Sequence, residues 1–540
     1  MRYTSAMRQR AITHLLGCVL FLVACTSNGE QDDAPILETV PAGGGSNSSG
    51  GSPACSPPAF VQAVDPGAPA ALIVTNRALQ PAFDEYAALH SVTGIATKTV
   101  AVEDICAAKT CDENPRSDTA KAIKDYLKAQ PGLRYVILGG GGDVIPGRKV
   151  HDAYTNPTLT QYSFSADFVT DYYYSDFSEW DANGDGVYAQ KEIDTPSYSP
   201  SVMVARIPVH TAKEAADYLA KVVHHVRAYD TAKVQKALLL SNIAAKVFGV
   251  DIDAAWYFAS KGRTLSRIPA NFVVTKQYAN PTDASAGIYS AQNESAALMD
   301  GQNIVVHSGH ASYDLLTVEV NGSQPFTGEQ AYALTNATRP IFLSSGCQAG
   351  DYSAPYRAGE LLVLAPGGGA IAYLGNVPVG LGLAGGMQVI DGVLGYVQTH
   401  PNALLADAYF DAHQRLPKSD TFQIPIIPIA IQVLDQSSYQ WTQKSVVLFG
   451  DPLIPVWTNP LPSAPQISVS KKAVCGGAEL SFTFGAPVTG TFDISADGEL
   501  YRVPLDKKDS LTIAIARDPV RVSAGFVDPE SQYAFASAAF

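Results

Sequence analysis

Basic residues are the minority charge in this chain, 37 Lys and Arg against 51 Asp and Glu, and a net charge of −14 lacks the electrostatic footprint of a nucleic-acid binder. Cysteines are scarce as well: seven in 540 residues exclude a disulfide scaffold, so each has to be judged by its own surroundings. Charged residues make up only 16% of the chain against 46% hydrophobic ones, which excludes a disordered polypeptide. There is no convincing internal repeat, and beyond residue 24 no run reaches the roughly 18 apolar residues of a membrane helix. What is left is an acidic, folded body with room for two to four domains.

The first segment is an address. Arg2, Arg8 and Arg10 precede an apolar stretch over residues 11–24 that is too short to span a bilayer and has the layout of a secretory signal. It ends in Leu22-Val23-Ala24-Cys25, which resembles the lipobox of bacterial lipoproteins, so Cys25 is expected to be the acylated mature N-terminus. Residues 1–24 hold three Arg and no acid, so their removal takes the formal charge from −14 to −17. Residues 25–58, with Gly and Ser prominent, read as a flexible linker. About 30 such residues span roughly 30 Å on average, enough to hold a globular body clear of a lipid surface.

From residue 59 the pattern changes to short apolar runs alternating with amphipathic stretches. Strands are expected near 71–74, 96–102, 135–138, 202–205, 237–240, 272–274, 304–306, 341–343 and 370–373. Helices are expected near 83–90, 117–128, 212–227, 252–261, 291–299, 329–334 and 385–397. Strands that are apolar throughout, alternating with helices, argue for an α/β fold with a mainly parallel sheet covered on both faces, whose chemistry sits at the carboxyl ends of strands. After a Pro-rich shift at 460–465, residues 461–540 show period-two patterning and no helix, the mark of a small β-sandwich.

Two strand ends carry reactive groups. The run 304–306 leads into His307-Ser308-Gly309-His310-Ala311, and 341–343 into Ser344-Ser345-Gly346-Cys347-Gln348. A thiol and an imidazole on neighbouring strand ends form a nucleophile and base pair, and the small residues around them let a substrate backbone approach exposed N–H groups. His307 is the rival base to His310.

These residues resemble the clan of cysteine peptidases that includes caspases, legumains and gingipains. Three further stretches resemble the gingipain-like family in particular: Thr170-Asp171-Tyr172-Tyr173-Tyr174-Ser175, Ala205-Arg206-Ile207-Pro208-Val209 and Leu448-Phe449-Gly450-Asp451-Pro452, in that family's order. The resemblance covers residues 59–457 and implies a caspase-like catalytic domain over 59–460, followed by an immunoglobulin-like module over 461–540. It implies Cys347 as nucleophile, His310 as general acid and base, and the backbone N–H groups of Cys347 and Ala311 as the oxyanion hole. It also implies Asp171 as the base of a pocket for a basic substrate side chain. The chain departs from the family in having Ala311 where gingipains have Gly, Arg148 where they can have Glu, and 375–382 where arginine-specific members place a Trp. Asp152 is the remaining candidate for an acid that orients the imidazole.

The stretch 181–192 fits the twelve-residue calcium loop, with oxygen ligands from Asp181, Asn183, Asp185 and Glu192, the Val187 carbonyl, and Gly186 at the sharp turn. It is expected to act as a structural clamp. Cys106 and Cys111 are positioned to pair, Cys55 and Cys475 can pair or stay free, and Cys18 leaves with the signal.

The expected protein is an exported, lipid-anchored cysteine endopeptidase of the cell envelope, at the outer membrane or cell surface. It needs calcium, no organic cofactor and no nucleic acid, and it takes proteins or peptides as substrates. The alternatives are a transpeptidase (sortase) of a secretion system and a non-catalytic, calcium-binding surface protein.

Overall fold

The computed structural model describes residues 56–540 apart from 66, 108–110, 112–117, 156–162, 228–233, 248–249, 281–282, 319–323, 424–429, 460–465 and 528–532. The signal, Cys25 and nearly all of the linker lie outside the described residues. The order in the larger body opens with β1 (Ala71–Thr75), α1 (Gln80–Val92), β2 (Thr97–Ala101), α2 (Thr119–Lys128), β3 (Tyr135–Gly139) and a hairpin of β4 (Arg148–Tyr154) and β5 (Phe164–Thr170). It continues with β6 (Met203–Ile207), α3 (Ala212–Arg227), β7 (Lys236–Ser241), β8 (Val273–Tyr278), β9 (Gly287–Ile288), α4 (Ala291–Met299), β10 (Ile304–Ser308) and β11 (Ile341–Ser344). Then come α5 (Ala358–Leu364), β12 (Ala372–Asn376), α6 (Gly386–Thr399), α7 (Leu405–Gln414), α8 (Gln436–Ser445) and β13 (Val446–Gly450).

Eleven of these strands form one sheet in the order β9-β8-β7-β10-β11-β12-β13-β6-β3-β1-β2. Neighbours are parallel except at one seam, where β13 runs antiparallel to β12. The six strands on one side of that seam therefore run opposite to the five on the other, and the two halves present their carboxyl ends at opposite edges. Strands such as β1, β3, β6 and β10 are buried at every position because helices cover both faces. Each fully buried Leu, Ile or Val contributes about 1.5–3 kcal/mol, so a one-residue register slip is strongly disfavoured. Helix starts are set locally: Ser290 caps α4 by accepting from Asn293 N–H, and Asp435 caps α8 by accepting from Ser438 N–H.

The helix expected at 252–261 is only Ala254–Ala259, because residues before it form a hairpin of Ile243–Val247 and Val250–Asp253. The hairpin β4–β5 and the antiparallel β13 were not expected.

The C-terminal region is an antiparallel sheet of β14 (Ile467–Val474), β15 (Gly477–Ala496), β16 (Glu499–Ile515), β17 (Arg521–Val527) and β18 (Tyr533–Ala539). The long β15 and β16 pair with each other, and their pairing slips between Thr483 and Gly490. The sheet folds on itself there, since the Phe482 and Phe492 ring centroids lie 5.1 Å apart although a straight strand would separate them by roughly 30 Å. Two facing layers thus enclose the small core of Leu480, Phe482, Phe492 and Ile494. Residues preceding β1 join the two regions: Val61 N–H donates to Ala514 O at 2.8 Å, and Val64 N–H to Leu500 O at 2.7 Å.

Candidate active site

β10 and β11 are adjacent and parallel, with His307 opposite Ser344. The chain beyond each strand therefore emerges at the same edge, and Gly309-His310-Ala311 lies beside Gly346-Cys347. The contact is close enough to require glycine: a Cβ on Gly346 would sit 2.6 Å from Ala311 Cβ and 3.3 Å from Ala311 N.

Cys347 is the free cysteine among the described residues; Cys106 is bonded to Cys111, and Cys475 is disulfide-bonded. Its half-buried thiol faces Gly380 O at 3.8 Å, and burial pushes its pKa above the ordinary thiol value. The next residue, Gln348, has φ +60°, and Ala349 N–H donates to Cys347 O at 2.7 Å, closing a three-residue turn in a conformation that costs a non-glycine residue energy. Surrounding bonds hold this turn. Gln348 N–H donates to Pro378 O at 2.9 Å, the Asn376 amide to Gly346 O at 2.9 Å, and Trp441 Nε1 to Val379 O at 2.9 Å. Among the described residues, no acceptor within the chain faces the backbone N–H of Cys347 or of Ala311.

The two histidines differ in their surroundings. His307 is fully buried, its Nδ1 is 2.9 Å from Ser344 Oγ, and burial with the nearby His310 drives its pKa down to about 3. A neutral imidazole so reluctant to take a proton is a poor base. His310 is exposed, on a loop closed by Val318 N–H donating to His310 O at 3.2 Å.

Asp171 has another role than the one the resemblance implies. It is buried, Arg206 Nε and Nη2 bind its two oxygens at 2.8 and 2.6 Å, and Tyr352 OH donates to it at 2.7 Å. The same guanidinium donates to the carbonyls of Gly140, Gly141 and Ile145 beyond β3. Because β3 and β6 run opposite to β11, this cluster lies at the edge of the sheet away from Cys347. The carboxylate is the counter-ion of Arg206, which engages both of its oxygens, and Tyr352 adds a second bond on Oδ1. Arg148 pairs with Asp118 at 2.5 Å and Asp152 with Lys444 at 2.7 Å, so neither orients His310.

In the loop 181–192, Asp181 accepts from Asp185 N–H at 3.0 Å and Gly186 N–H at 3.1 Å, and Asp185 accepts from Val187 N–H at 2.8 Å. Gly186 takes φ +81°, as the sixth position of such a loop requires. Asp194 ties the two ends, accepting from Ala182 and Gln190 N–H at 2.8 and 2.7 Å. Asp181, Asn183, Asp185 and the Val187 carbonyl are the hard oxygen donors calcium takes, so the first half of the loop fits the ion. Glu192 is exposed, and among the described residues no three His, Cys, Asp or Glu side chains converge as a cage.

Sequence reasoning missed Asn376 and Ser344, which fix the Cys347 turn, and the Arg206 partner of Asp171. The signal for Asn376 was a polar residue ending an apolar strand.

No curated protein matches the chain. Among solved structures, it is similar to the Arg-specific cysteine proteinase gingipain R (RgpB), with a TM-score of 0.55 at 14% identity over 88% of this chain and 98% of that one. It is also similar to the complex of Porphyromonas gingivalis RgpB pro- and mature domains, with a TM-score of 0.53 at 14% identity over 87% of this chain and 99% of that one. These likenesses establish the fold, a caspase-like sheet followed by a β region. The model of peptidase family C25 matches residues 65–457, and the chain belongs to that family of cysteine peptidases.

Proposed function

We propose that the protein is an exported endopeptidase working through a Cys347–His310 dyad and a thioester intermediate. The observation that carries this reading is the emergence of both groups from adjacent parallel strands, with Gly346 packed on Ala311. The Cys347 thiol proton passes to the His310 imidazole, and the thiolate attacks the peptide carbonyl carbon. The oxyanion takes hydrogen bonds from the N–H groups of Cys347 and Ala311, which are free for it. The imidazolium then protonates the leaving amine. Water, deprotonated by His310, attacks the thioester, releasing a carboxylic acid and restoring the thiol.

The raised thiol pKa means that the nucleophile is formed by proton transfer rather than held as a resting thiolate. Neutral His307, bonded to Ser344, fixes the strand ends without exchanging protons. The disulfide-bonded Cys106, Cys111 and Cys475 support an oxidising compartment, in line with export and with a lipid anchor on Cys25. Calcium, held by Asp181, Asn183, Asp185 and the Val187 carbonyl, would stiffen the loop next to the Trp180 and Tyr173 rings.

Profiling a peptide library with wild type and Cys347→Ala tests the reading. Cleavage confined to wild type supports it, and cleavage by Cys347→Ala overturns it. Conjugation of the acyl fragment to an added amine in place of hydrolysis identifies the transpeptidase. For calcium, the expected outcome is a melting temperature that falls on chelation and no longer responds in Asp185→Ala.

A further inference from the structure

Asn242 follows β7, the strand on the far side of β10 from Cys347. Its backbone is tied on both sides: its N–H donates to Ser308 O at 3.0 Å, and its carbonyl accepts from Ala254 N–H at 3.4 Å. Asn242 is 1% exposed, yet among the described residues neither the oxygen nor the nitrogen of the amide has a hydrogen-bond partner. A buried amide left this way costs about 1–3 kcal/mol for each unsatisfied group, so its retention calls for a reason.

The reason lies one residue from His310. A Cβ on Gly309 would stand 2.6 Å from Asn242 Cβ and 2.9 Å from Asn242 Cγ. The absence of a side chain at Gly309 is what lets the amide lie directly against the backbone that carries the imidazole. No carboxylate is hydrogen-bonded to His310 or His307 among the described residues. Asp152, the acid that the sequence offered for this role, is held by Lys444. An imidazole that must face a thiol with one nitrogen needs an acceptor for the N–H of the other.

We infer that Asn242 is the positioning residue of this site, its side-chain oxygen accepting the Nδ1–H of His310 when substrate orders the loop, so that Nε2 is presented to Cys347. This rests on the Cys347–His310 reading above. Hydrogen bonds of this kind tighten on substrate binding, which accounts for an amide held ready and unpaired in the free chain. The neutral amide fixes the tautomer without holding the imidazole charged, which suits a dyad whose thiol is protonated at rest. His307 borders the same gap, its unpartnered Nε2 2.9 Å from the Gly309 Cβ position.

The test measures kcat and KM against pH for wild type, Asn242→Ala and Asn242→Asp, with Asn242→Ala repeated in His310→Ala. The expected result is a tenfold to hundredfold loss of kcat in Asn242→Ala with KM within about threefold. Asn242→Asp, nearly isosteric, is expected to fold and to move the acid limb of the profile upward, because a carboxylate stabilises the imidazolium, which must lose its proton before it can act as the base. In the His310→Ala background, Asn242→Ala is expected to cost nothing further. A kcat within twofold of wild type in Asn242→Ala, an unmoved profile in Asn242→Asp, or an equal further loss in His310→Ala would overturn the inference. Cleavage surviving in Cys347→Ala is a different failure, that of the dyad reading itself.

Discussion

The two edges of the central sheet are built to opposite rules. At the edge where β3 and β6 end, a buried ion pair is closed on itself: Asp171 takes Arg206 and Tyr352, and the guanidinium takes three carbonyls. At the edge where β7, β10 and β11 end, groups are left without partners among the described residues: the Asn242 amide, His307 Nε2, and the N–H groups of Cys347 and Ala311. In the reading proposed above, the Cys347 end differs from the Asp171 end in offering open donors and acceptors in place of a closed ion pair. Buried ion pairs perturb their surroundings as strongly as active sites do, and only the inventory of donors and acceptors separates the two.

The largest effect that would sharpen this contrast is expected from His310→Ala, which should lower kcat/KM by about a thousandfold or more with little change in melting temperature. His307→Ala should instead act through stability, since it removes the partner of Ser344. Equal kinetic losses with unchanged stability in both would break the distinction between a base and a brace. At the other edge, Asp171→Asn should cost about 3–5 kcal/mol in denaturant unfolding by stranding Arg206, and should leave the relative preference among substrate side chains unchanged. Loss of a preference for arginine with stability intact would return Asp171 to the substrate pocket.

A smaller effect concerns Glu294 on α4, below the loop that follows His310. It is fully buried, Tyr289 OH and Thr317 Oγ1 bond its Oε2 at 2.8 and 3.1 Å, Oε1 has no partner, and burial raises its pKa to about 7. The folded state thus holds a proton that the unfolded chain releases near the ordinary carboxyl value. Its contribution is fully present below that value and is lost as pH rises through 7, a span on the order of 3 kcal/mol. Glu294→Gln should flatten the fall in stability between the ordinary carboxyl range and about pH 7; an unchanged slope would show that another group titrates there.

Much of this was legible in the sequence. Apolar runs that end in Gly-His and Gly-Cys are local features, and the α/β alternation that places them is periodic, so β10, β11 and their reactive ends could be read directly. The role of Asp171 could not, because its partner Arg206 lies 35 residues away and meets it only once β6 is in the sheet. A buried carboxylate is equally suited to a substrate guanidinium and to the chain's own. β13 escaped because its apolar run, Val446–Gly450, merges with the amphipathic α8 before it, and periodicity cannot give strand direction. Period-two patterning does not give the length of β15, because Gly485 and Pro487 interrupt the pattern whereas the structure absorbs them where its pairing with β16 slips. Asn242 gave no motif at all; its unpartnered amide is visible only in the folded chain.

The central claim is most directly tested by treating the protein with a peptidyl acyloxymethyl ketone and locating the adduct by peptide mass spectrometry. A single adduct on Cys347, lost in Cys347→Ala and slowed in His310→Ala, is the result this account predicts. A chain that leaves Cys347 unmodified, or that reacts as fast without His310, would contradict it.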